Sequence, residues 1–533
     1  MAGGPMAAGG GVGSAAPKSK LSGILMVSFA AFAGILYGYD TGTISGITAM
    51  KNWLQLFGHE VPVTNTNPYG LGISSHQQSL VTSILSAGTF FGSLGGAPVA
   101  DYIGRQRGVF VAVLVFCLGV ALQTGSHTFA VFVVGRVFAG LGVGLISTLI
   151  PMYLSECSPK WIRGAVVTGY QWAITIGILL ANVINNATQH RNDHSAWRIP
   201  TSVQLIWAFV LAVGMFFLPE SPRFLIKKGN DEAAAKSLGR LTGLAANDPE
   251  VELELTDIKA ALKEEQEIGE TGYADCFRRT PNKILLRTLT GIFLQAWQQL
   301  TGINFIFYYG TIFFQSAGIA NPFLASVATG VVNVGMTIPG MWGVERFGRR
   351  NLLIYGAAWM CICEFLVAII GVTISVTNTA GQKALIGLVC LYVAGFASTW
   401  GPIAWVVVGE IFPLQIRAKA MSLSIASNWL WNFGIAYATP YLVNAGAGNA
   451  DLGVKVFFLW GSTCLCCTIF AFLCVPETKG LSLEQIDLLY LNSSILGSVE
   501  YRKVLLAQDV HVADLKDGKL TIQDDRHSND EKV

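Results

Sequence analysis

Amide side chains stand inside long apolar stretches of this sequence, and one stretch holds several of them. Gln298, Gln299 and Asn304 lie close together in a single apolar run. A neutral amide both donates and accepts hydrogen bonds, so it suits a ligand rich in hydroxyl groups. Because an amide in a membrane helix is costly without a partner, the cluster predicts a hydrated cavity. Any one amide is equally well explained by a hydrogen bond between helices.

Three charged residues also lie inside apolar runs. Asp40 lies in the first run and Arg136 lies early in the fourth. Buried charges need partners, so these two residues are candidates for an ion pair. Glu364, in the ninth run, either faces the interior of the bundle, reaches towards the interface or is protonated, and we expect a structural role for it.

The sequence contains no arrangement typical of an enzyme. The seven histidines are scattered in loops and in the tail, without a nucleophile–base pair or the spacing of metal ligands. The cysteines within apolar runs are expected to be reduced core residues. The net charge of +2 gives no argument for binding nucleic acid. We therefore expect no catalytic site, no metal, no cofactor and no nucleic-acid partner.

Membrane helices are the elements that must position these residues. Hydrophobic residues make up 52% of the chain and charged residues 13%, whereas a soluble protein carries roughly 25% charge. A spanning helix needs roughly 20 mostly apolar residues, and such runs recur in two groups of six, which predicts an all-α protein embedded in a lipid bilayer. The runs lie near Leu21–Ala49, Leu80–Tyr102, Val109–Thr124, Val131–Tyr153, Val166–Ala187, Ser202–Leu218, Leu286–Gln315, Phe323–Trp342, Leu352–Val376, Ala384–Ile411, Ala418–Val443 and Lys455–Val475.

A polar stretch between the two groups divides the chain. The predicted units are a flexible cytoplasmic N-terminus (1–20), an N-terminal six-helix bundle (21–218), a cytoplasmic helical linker (219–283), a C-terminal six-helix bundle (284–475) and a cytoplasmic tail (476–533). Helical spacing within the linker predicts helices at Asp231–Leu241 and Glu252–Gln266. Lys and Arg are enriched in the loops on one side, so that side and both termini are predicted to be cytoplasmic.

Three motifs of the first half recur in the same order in the second half. Their members are Gly96-x4-Asp101-x2-Gly104-Arg105 with Gly340-x4-Glu345-x2-Gly348-Arg349, Glu156-x2-Pro159-x3-Arg163 with Glu410-x2-Pro413-x3-Arg417, and Pro219-Glu220-Ser221-Pro222 with Pro476-Glu477-Thr478-Lys479. The repetition predicts two related halves. Such a duplication suits a transporter that rocks two bundles around a central site.

The repeated charges are candidates for a cytoplasmic gate. Carboxylates and guanidiniums at helix ends can pair between neighbouring helices or cap them. Because ion pairs break and reform, they are predicted to act as latches that hold the inner ends of the two halves together. The alternative is that they only set topology and tighten turns. The candidate gate residues are Asp101, Arg105, Glu156, Arg163, Glu345, Arg349, Glu410 and Arg417.

Taken together, these motifs resemble the sugar-porter family of the major facilitator superfamily. The resemblance rests on Gly38–Gly42, Asp101–Arg105, Gly135–Arg136, Pro151–Glu156, Pro219–Arg223, Gln298–Asn304 and Pro476–Gly480. Tyr39–Gly46 and the extended segment after Met50 are similar to fungal hexose transporters. The resemblance implies the major facilitator fold with twelve transmembrane helices. In one departure, Ala97 and Met341 stand where the family's loop motif has glycine, so helix packing there is expected to be offset.

The resemblance also assigns roles to individual residues. It implies that the side chains matching the family's sugar contacts are Gln171, Gln298, Gln299, Asn304, Asn333, Trp405 and Asn432. In proton-coupled sugar porters an Asp at the position of Asp40 takes up the proton, and its pairing with the Arg136 position depends on protonation. Fungal facilitators can also keep this Asp, so symport and facilitated diffusion both stay open. Gly401 and Pro402 are expected to break the tenth helix and let it bend as a gate.

These observations, together with the resemblance, predict a plasma-membrane transporter for glucose or a related hexose that works by alternating access. A monosaccharide is the expected substrate and a proton the expected co-substrate. A glucose-sensing receptor with the same fold is the alternative. Some such receptors signal through a long tail, whereas the segment after Gly480 contains no repeated motif, which favours a transporter.

Overall fold

A computed structural model describes residues 21–516 of the chain, apart from 64–68, 159–162, 269–271, 375–377, 414–415 and 482. The predicted N-terminal segment 1–20 and the end of the predicted tail from residue 517 lie outside the described residues. Nearly all regular structure is helical. Two short strands, β1 (His59–Glu60) and β2 (Leu71–Gly72), pair antiparallel after the first span.

The described helices follow the two-part organisation of the sequence. The first half contains α1 (Leu21–Ala31), α2 (Gly34–Ile47), α3 (Lys51–Phe57), α4 (Ser75–Ile103), α5 (Arg105–Thr124), α6 (Phe129–Cys157), α7 (Arg163–Thr188) and α8 (Ser195–Phe217). The second half contains α12 (Ile284–Leu300), α13 (Ile303–Ser316), α14 (Pro322–Phe347), α15 (Arg349–Thr373), α16 (Thr379–Ser398), α17 (Trp400–Glu410), α18 (Arg417–Val443), a 3₁₀ turn (Gly453–Lys455) and α19 (Val456–Cys474).

Helical segments also occupy the linker and the tail. The linker contains α9 (Pro222–Lys227), α10 (Asp231–Thr242), α11 (Pro249–Ile268) and a 3₁₀ turn (Tyr273–Phe277), and the tail contains α20 (Leu483–Asn492) and α21 (Ser498–Lys516). Helices α10 and α11 coincide with the two that the sequence predicts. Leu238 of α10 and Val251 of α11 belong to a small apolar cluster of their own, so the linker has its own packed core.

Each predicted apolar run corresponds to one long helix or to two consecutive helices. Eight helical segments of the described chain are long and apolar enough to span a membrane by length and composition. The other four runs correspond to α1 with α2, to α7, to α12 with α13, and to α18. Large apolar side chains on the outside, such as Leu114, Phe216 and Tyr355, are among the most exposed in the protein. An apolar outer surface of this kind is typical of contact with lipid.

Several spans are broken: the sequence analysis treats the seventh as continuous and predicts a break in the tenth at Gly401 and Pro402. The seventh run changes direction at Gly302, whose φ of +79° favours glycine. The tenth run breaks at Thr399, ahead of the predicted Gly401 and Pro402, which lie in the first turn of α17. Proline is tolerated in a first turn but its ring obstructs the turn before it, so the break precedes the proline.

Glycines bring helices of the same half into close contact. A β-carbon at Gly144 of α6 would lie 2.3 Å from the Thr89 carbonyl oxygen of α4, and small residues at such crossings let membrane helices approach closely. The offset motif glycines do the same. A β-carbon at Gly96 would lie 2.6 Å from Thr148, and one at Gly340 would lie 2.8 Å from the Ser398 backbone. The one-residue offset therefore retains close packing in both halves. Between the halves, α4 packs on α18 and α7 on α14.

Candidate functional site

A continuous network of amides connects α12, α13 and α18. Gln299 Nε2 donates to Asn428 Oδ1 at 3.0 Å, and Asn432 Nδ2 donates to Gln299 Oε1 at 3.2 Å. Asn304 Nδ2 also donates to Gln299 Oε1. Asn428 Nδ2 donates to Gln298 Oε1 at 2.8 Å. Amides on both sides of the break in the seventh span therefore converge on Gln299, although the sequence places them on one unbroken helix.

Gln298 connects this network to the break in the tenth span. Its Nε2 donates to the carbonyl oxygens of Trp400 at 2.9 Å and Gly401 at 3.0 Å. Trp405 lies one turn further along α17 and is partly exposed. Among the described residues, its indole has neither a hydrogen bond nor an aromatic partner. A flat, unpartnered indole can pack against the apolar face of a ring-shaped ligand.

Two further predicted contacts lie between the halves. Gln171 is on α7 and Asn333 is on α14, and these helices pack on each other. Their neighbours are in direct contact, because Trp172 Nε1 donates to the Val334 carbonyl oxygen at 3.2 Å. Within the described part of the chain, the side chains of Gln171 and Asn333 make no hydrogen bond. Both amides can therefore bond a ligand without giving up a partner.

The structure adds residues that the sequence analysis did not name among the sugar contacts. Ser86 of α4 donates to Asn432 Oδ1 at 2.6 Å, and Tyr308 donates to the same oxygen at 3.1 Å. A serine in an apolar run carries no sequence signal for such a role. Gln295 Oε1 accepts from Asn428 Nδ2 at 2.7 Å. Because Gln295 precedes Gln298 and Gln299 by one helical turn, spacing alone would have placed it on their face.

Asp40 and Arg136 form a fully buried ion pair. Arg136 Nη1 lies 2.9 Å from each carboxylate oxygen of Asp40, and the exposed fractions of the two side chains are 1% and 0%. Arg136 Nε donates to the Val81 carbonyl oxygen at 3.2 Å. The charges thus compensate each other inside the first half.

Tyr308 lies between this ion pair and the amide network. Its hydroxyl donates to Asn432, and the charges of both Asp40 and Arg136 act on it. Helix α13, which carries Tyr308, packs on α2, which carries Asp40. Tyr308 is therefore close both to the amide network and to the ion pair.

The repeated motifs build the same charge cluster twice. In the first half, Arg105 Nη2 lies 2.8 Å from Glu156, and Arg105 Nη1 lies 3.8 Å from Asp101. In the second half, Arg349 Nη2 lies 2.9 Å from Glu410 and 3.0 Å from Glu345. Each arginine also donates Nη1 to a backbone carbonyl of the preceding helix at 3.1 Å.

Glu220 and Glu477, which the sequence analysis quoted only as motif members, cap helices at these clusters. Glu220 accepts from the Arg105 N–H at 2.9 Å, and Glu477 accepts from the Arg349 N–H at 2.9 Å. A carboxylate at a helix N-terminus satisfies free N–H groups and opposes the positive end of the helix dipole. The preceding residues have φ near +97° and +89°, a region that glycine favours, and are Gly104 and Gly348.

The described ion pairs of the gate candidates join helices of the same half, apart from that of Asp101 with Lys227 of the linker at 3.2 Å. Arg105 pairs within the first half and Arg349 within the second, and Arg417 Nε donates to the Phe412 carbonyl oxygen of its own half at 3.2 Å. The side chain of Arg163 lies outside the described residues. A latch that joins the two halves therefore remains a prediction.

Hydrogen bonds between the halves gather at the N-terminal end of α4 and the C-terminal end of α18. Asn444 Nδ2 donates to Gln78 Oε1 at 2.9 Å, and Ser79 Oγ donates to the Tyr437 carbonyl oxygen at 2.5 Å. These residues lie on the side that the charge pattern assigns to the outside. The halves are therefore closed against each other at this end.

Comparisons with known proteins identify the family. The family described as "Sugar (and other) transporter" matches residues 26–490. The chain is 48% identical to the major facilitator-type transporter ecdD of Aspergillus rugulosus (90% of this chain, 89% of that protein) and 45% identical to the probable glucose transporter rco-3 of Neurospora crassa (90% and 80%). It is 40% identical to the high glucose sensor RGT2 of Saccharomyces cerevisiae, over 91% of this chain and 63% of that protein.

A solved structure shares the fold. The proton:xylose symporter XylE bound to 6-bromo-6-deoxy-D-glucose superposes with a TM-score of 0.70 at 26% identity, over 89% of this chain and 100% of that chain. The twelve-span arrangement in two halves is thus the major facilitator fold, as the sequence predicts. With the family match extending over both halves, the chain belongs to the sugar transporter family of the major facilitator superfamily.

Proposed function

We propose that this protein carries glucose or a related hexose across the plasma membrane by alternating access, in symport with a proton. The amide network between α12, α13 and α18, together with the unpartnered Gln171, Asn333 and Trp405, carries the proposal. Relatives that are a probable glucose transporter and a proton:xylose symporter bound to a glucose derivative support it.

The substrate class follows from the chemistry of the network. Sugar hydroxyls both donate and accept hydrogen bonds. They can therefore take the place of an amide partner in the network without adding charge to the membrane interior. Gln171 and Asn333 offer free amides from opposite halves. A sugar bonded to both would link the halves, which makes its binding sensitive to their relative position.

Proton coupling is assigned to Asp40. When Asp40 takes up a proton, its ion pair with Arg136 is lost, and the guanidinium must find new acceptors nearby. Tyr308 connects the two sites, because it donates a hydrogen bond to Asn432 and lies near the charges of the pair. By linkage, sugar binding that favours the protonated state must itself be favoured by protonation.

The experiment is uptake of labelled glucose in cells that lack their own hexose carriers. We expect the chain to restore uptake, and a protonophore to abolish accumulation against a gradient. Restored uptake that ignores the protonophore would make the protein a passive facilitator. No uptake of any monosaccharide by protein at the cell surface would favour the sensor function, since one relative is a glucose sensor.

Orientation and domain limits belong to the same proposal. We infer that the linker 219–283 and the tail 476–533 lie in the cytoplasm, because Lys and Arg are denser in the loops on that side. Epitope tags placed before residue 21 and after residue 516 should bind antibody only in permeabilised cells. Tags that bind on intact cells would reverse the orientation.

A further inference from the structure

Glu364 of α15 is a buried acid that the transport cycle above does not use. Its exposed fraction is 0%, and neither carboxyl oxygen makes a hydrogen bond among the described residues. The titratable groups that face it are Tyr392 of α16 and Cys464 of α19, with Cys361 and Cys363 on its own helix. None of these carries a positive charge. A carboxylate with no counter-charge is strongly disfavoured in such a place, whereas the neutral acid is not.

Tyr392 connects this acid to the break in the seventh span. A break leaves backbone carbonyls without their helical donors. Here side chains of the second half replace those donors: Tyr392 Oη donates to the Thr301 carbonyl oxygen at 2.7 Å, and Thr463 Oγ1 donates to the Leu300 carbonyl oxygen at 2.6 Å. Cys464 Sγ lies 3.8 Å from the same Thr301 oxygen. The break stands between Gln299 and Asn304, so its position sets the geometry of the amide network.

The protonation state of Glu364 decides which way the Tyr392 hydroxyl donates. A tyrosine hydroxyl has one proton to give and lone pairs to accept. A neutral Glu364 carries no charge that attracts the tyrosine proton, which stays on the Thr301 carbonyl as in the structure. An ionised Glu364 only accepts, so it would draw the tyrosine proton to itself and leave the Thr301 carbonyl with only the weak Cys464 thiol donor.

We propose that Glu364 is a proton-bearing positioning residue, which as a neutral carboxylic acid leaves the Tyr392 hydroxyl on Thr301 and thereby keeps the break between α12 and α13 fixed for sugar binding. The other side of the break is already fixed, because a β-carbon at Gly302 would lie 2.6 Å from the Trp460 ring. The Tyr392 bond to Thr301 is therefore the contact that loss of the proton from Glu364 can release. The part of this proposal that concerns sugar affinity rests on the proposed function.

Infrared difference spectroscopy of the purified full chain tests the acid directly, without any sugar. The spectrum of the wild type minus that of Glu364→Gln should contain the carbonyl stretch of a protonated carboxylic acid at neutral pH. Carboxylate bands in that difference spectrum would overturn the proposal. Should Glu364→Gln fail to fold, the difference against Glu364→Asp gives the same information through the shift of the band.

Glucose binding at equilibrium tests the positioning role. It is measured in an Asp40→Asn background, which removes the other titrating acid. We expect affinity to fall about 3- to 10-fold at alkaline pH with Glu364 present, to stay flat with Glu364→Gln, and to be lowered at every pH by Tyr392→Phe. The matched control is Tyr355→Phe, on the outer face of α15, the helix that carries Glu364. Its affinity should depend on pH in the same way as that of the protein with Glu364 and Tyr392 intact.

Two results would contradict the positioning role: a flat profile with Glu364 present, or the same fall in Glu364→Gln. A protein that binds no hexose under any condition would instead contradict the proposed function. The infrared result would still decide whether Glu364 holds a proton.

Discussion

Arg136 uses one nitrogen, Nη1, for both carboxylate oxygens of Asp40, at 2.9 Å each, while its Nη2 has no partner within the described part of the chain. The guanidinium therefore retains a donor that is not committed to Asp40. Such a pair can be dissolved at lower cost than one in which both ends are fully bonded, because the arginine can shift towards other acceptors. This asymmetry is suited to a carboxylate that must gain and lose a proton in each cycle.

Asp40→Asn should separate proton coupling from sugar movement. The amide imitates the protonated acid in shape and neutrality, so we expect accumulation against a gradient to be abolished while downhill exchange persists. Uptake and counterflow in pH-clamped vesicles measure the two activities. If the variant still accumulates glucose when an inward proton gradient is applied, Asp40 is not the coupling group.

Gln298→Ala should weaken glucose binding by about 1–3 kcal/mol, since it removes a hydrogen-bond partner from a buried polar network. Trp405→Ala should also weaken it, through loss of the indole surface. The measurement is equilibrium binding or apparent affinity of uptake. The control is Trp342→Phe, on the exposed outer face of α14, which should bind normally. Unchanged affinity in both site variants would place the sugar elsewhere.

Arg349→Ala and Glu410→Gln should slow the conformational cycle more than they weaken sugar binding. Each disrupts the charge cluster at the start of α15, whose hydrogen bonds and ion pairs among the described residues do not include the amides. Turnover in exchange, compared with equilibrium binding on the same preparation, checks this. Equal loss of surface protein with normal turnover per molecule would support a role in topology alone.

The two capping glutamates should be equivalent. Glu220→Ala and Glu477→Ala each remove a carboxylate from a helix N-terminus, and each should lower the free energy of unfolding by about 0.5–2 kcal/mol, the usual range for a lost cap. Thermal unfolding of the purified protein measures it. A large effect at one site with none at the other would mean that the two equivalent sets of contacts contribute unequally to stability.

The tail helix α20 should stabilise the second half. Arg287 is fully buried, forms an ion pair with Asp487 and lies 4.0 Å from the centre of the Tyr490 ring. Truncation after Gly480 removes both of these contacts and leaves the buried guanidinium only the neutral acceptors of Ile411 and Asn282, so we expect thermal stability to fall clearly. Asp487→Asn should give a smaller loss, and Leu488→Ala, on the exposed face of α20, should give none. An unchanged melting temperature after truncation would contradict this role.

The sequence alone determined those properties that depend on short segments of the chain. A run such as Val131–Tyr153 must be a membrane helix because its length and apolarity leave few alternatives. The recurrence of Gly104-Arg105 as Gly348-Arg349 revealed two related halves without any coordinates. Asp40 and Arg136 stood out because charge in an apolar run is rare.

Tertiary structure decided what depends on which distant segments become neighbours. Ser86 and Asn432 are hydrogen bonded across the two halves, yet the sequence around either residue does not predict this contact. The break at Gly302 is tolerated because Tyr392 and Thr463, from other helices, satisfy the carbonyls that it frees. Apolarity is a local property that can be read residue by residue, whereas the partner of a buried polar group is chosen by packing, and packing is fixed only when all the helices are in place.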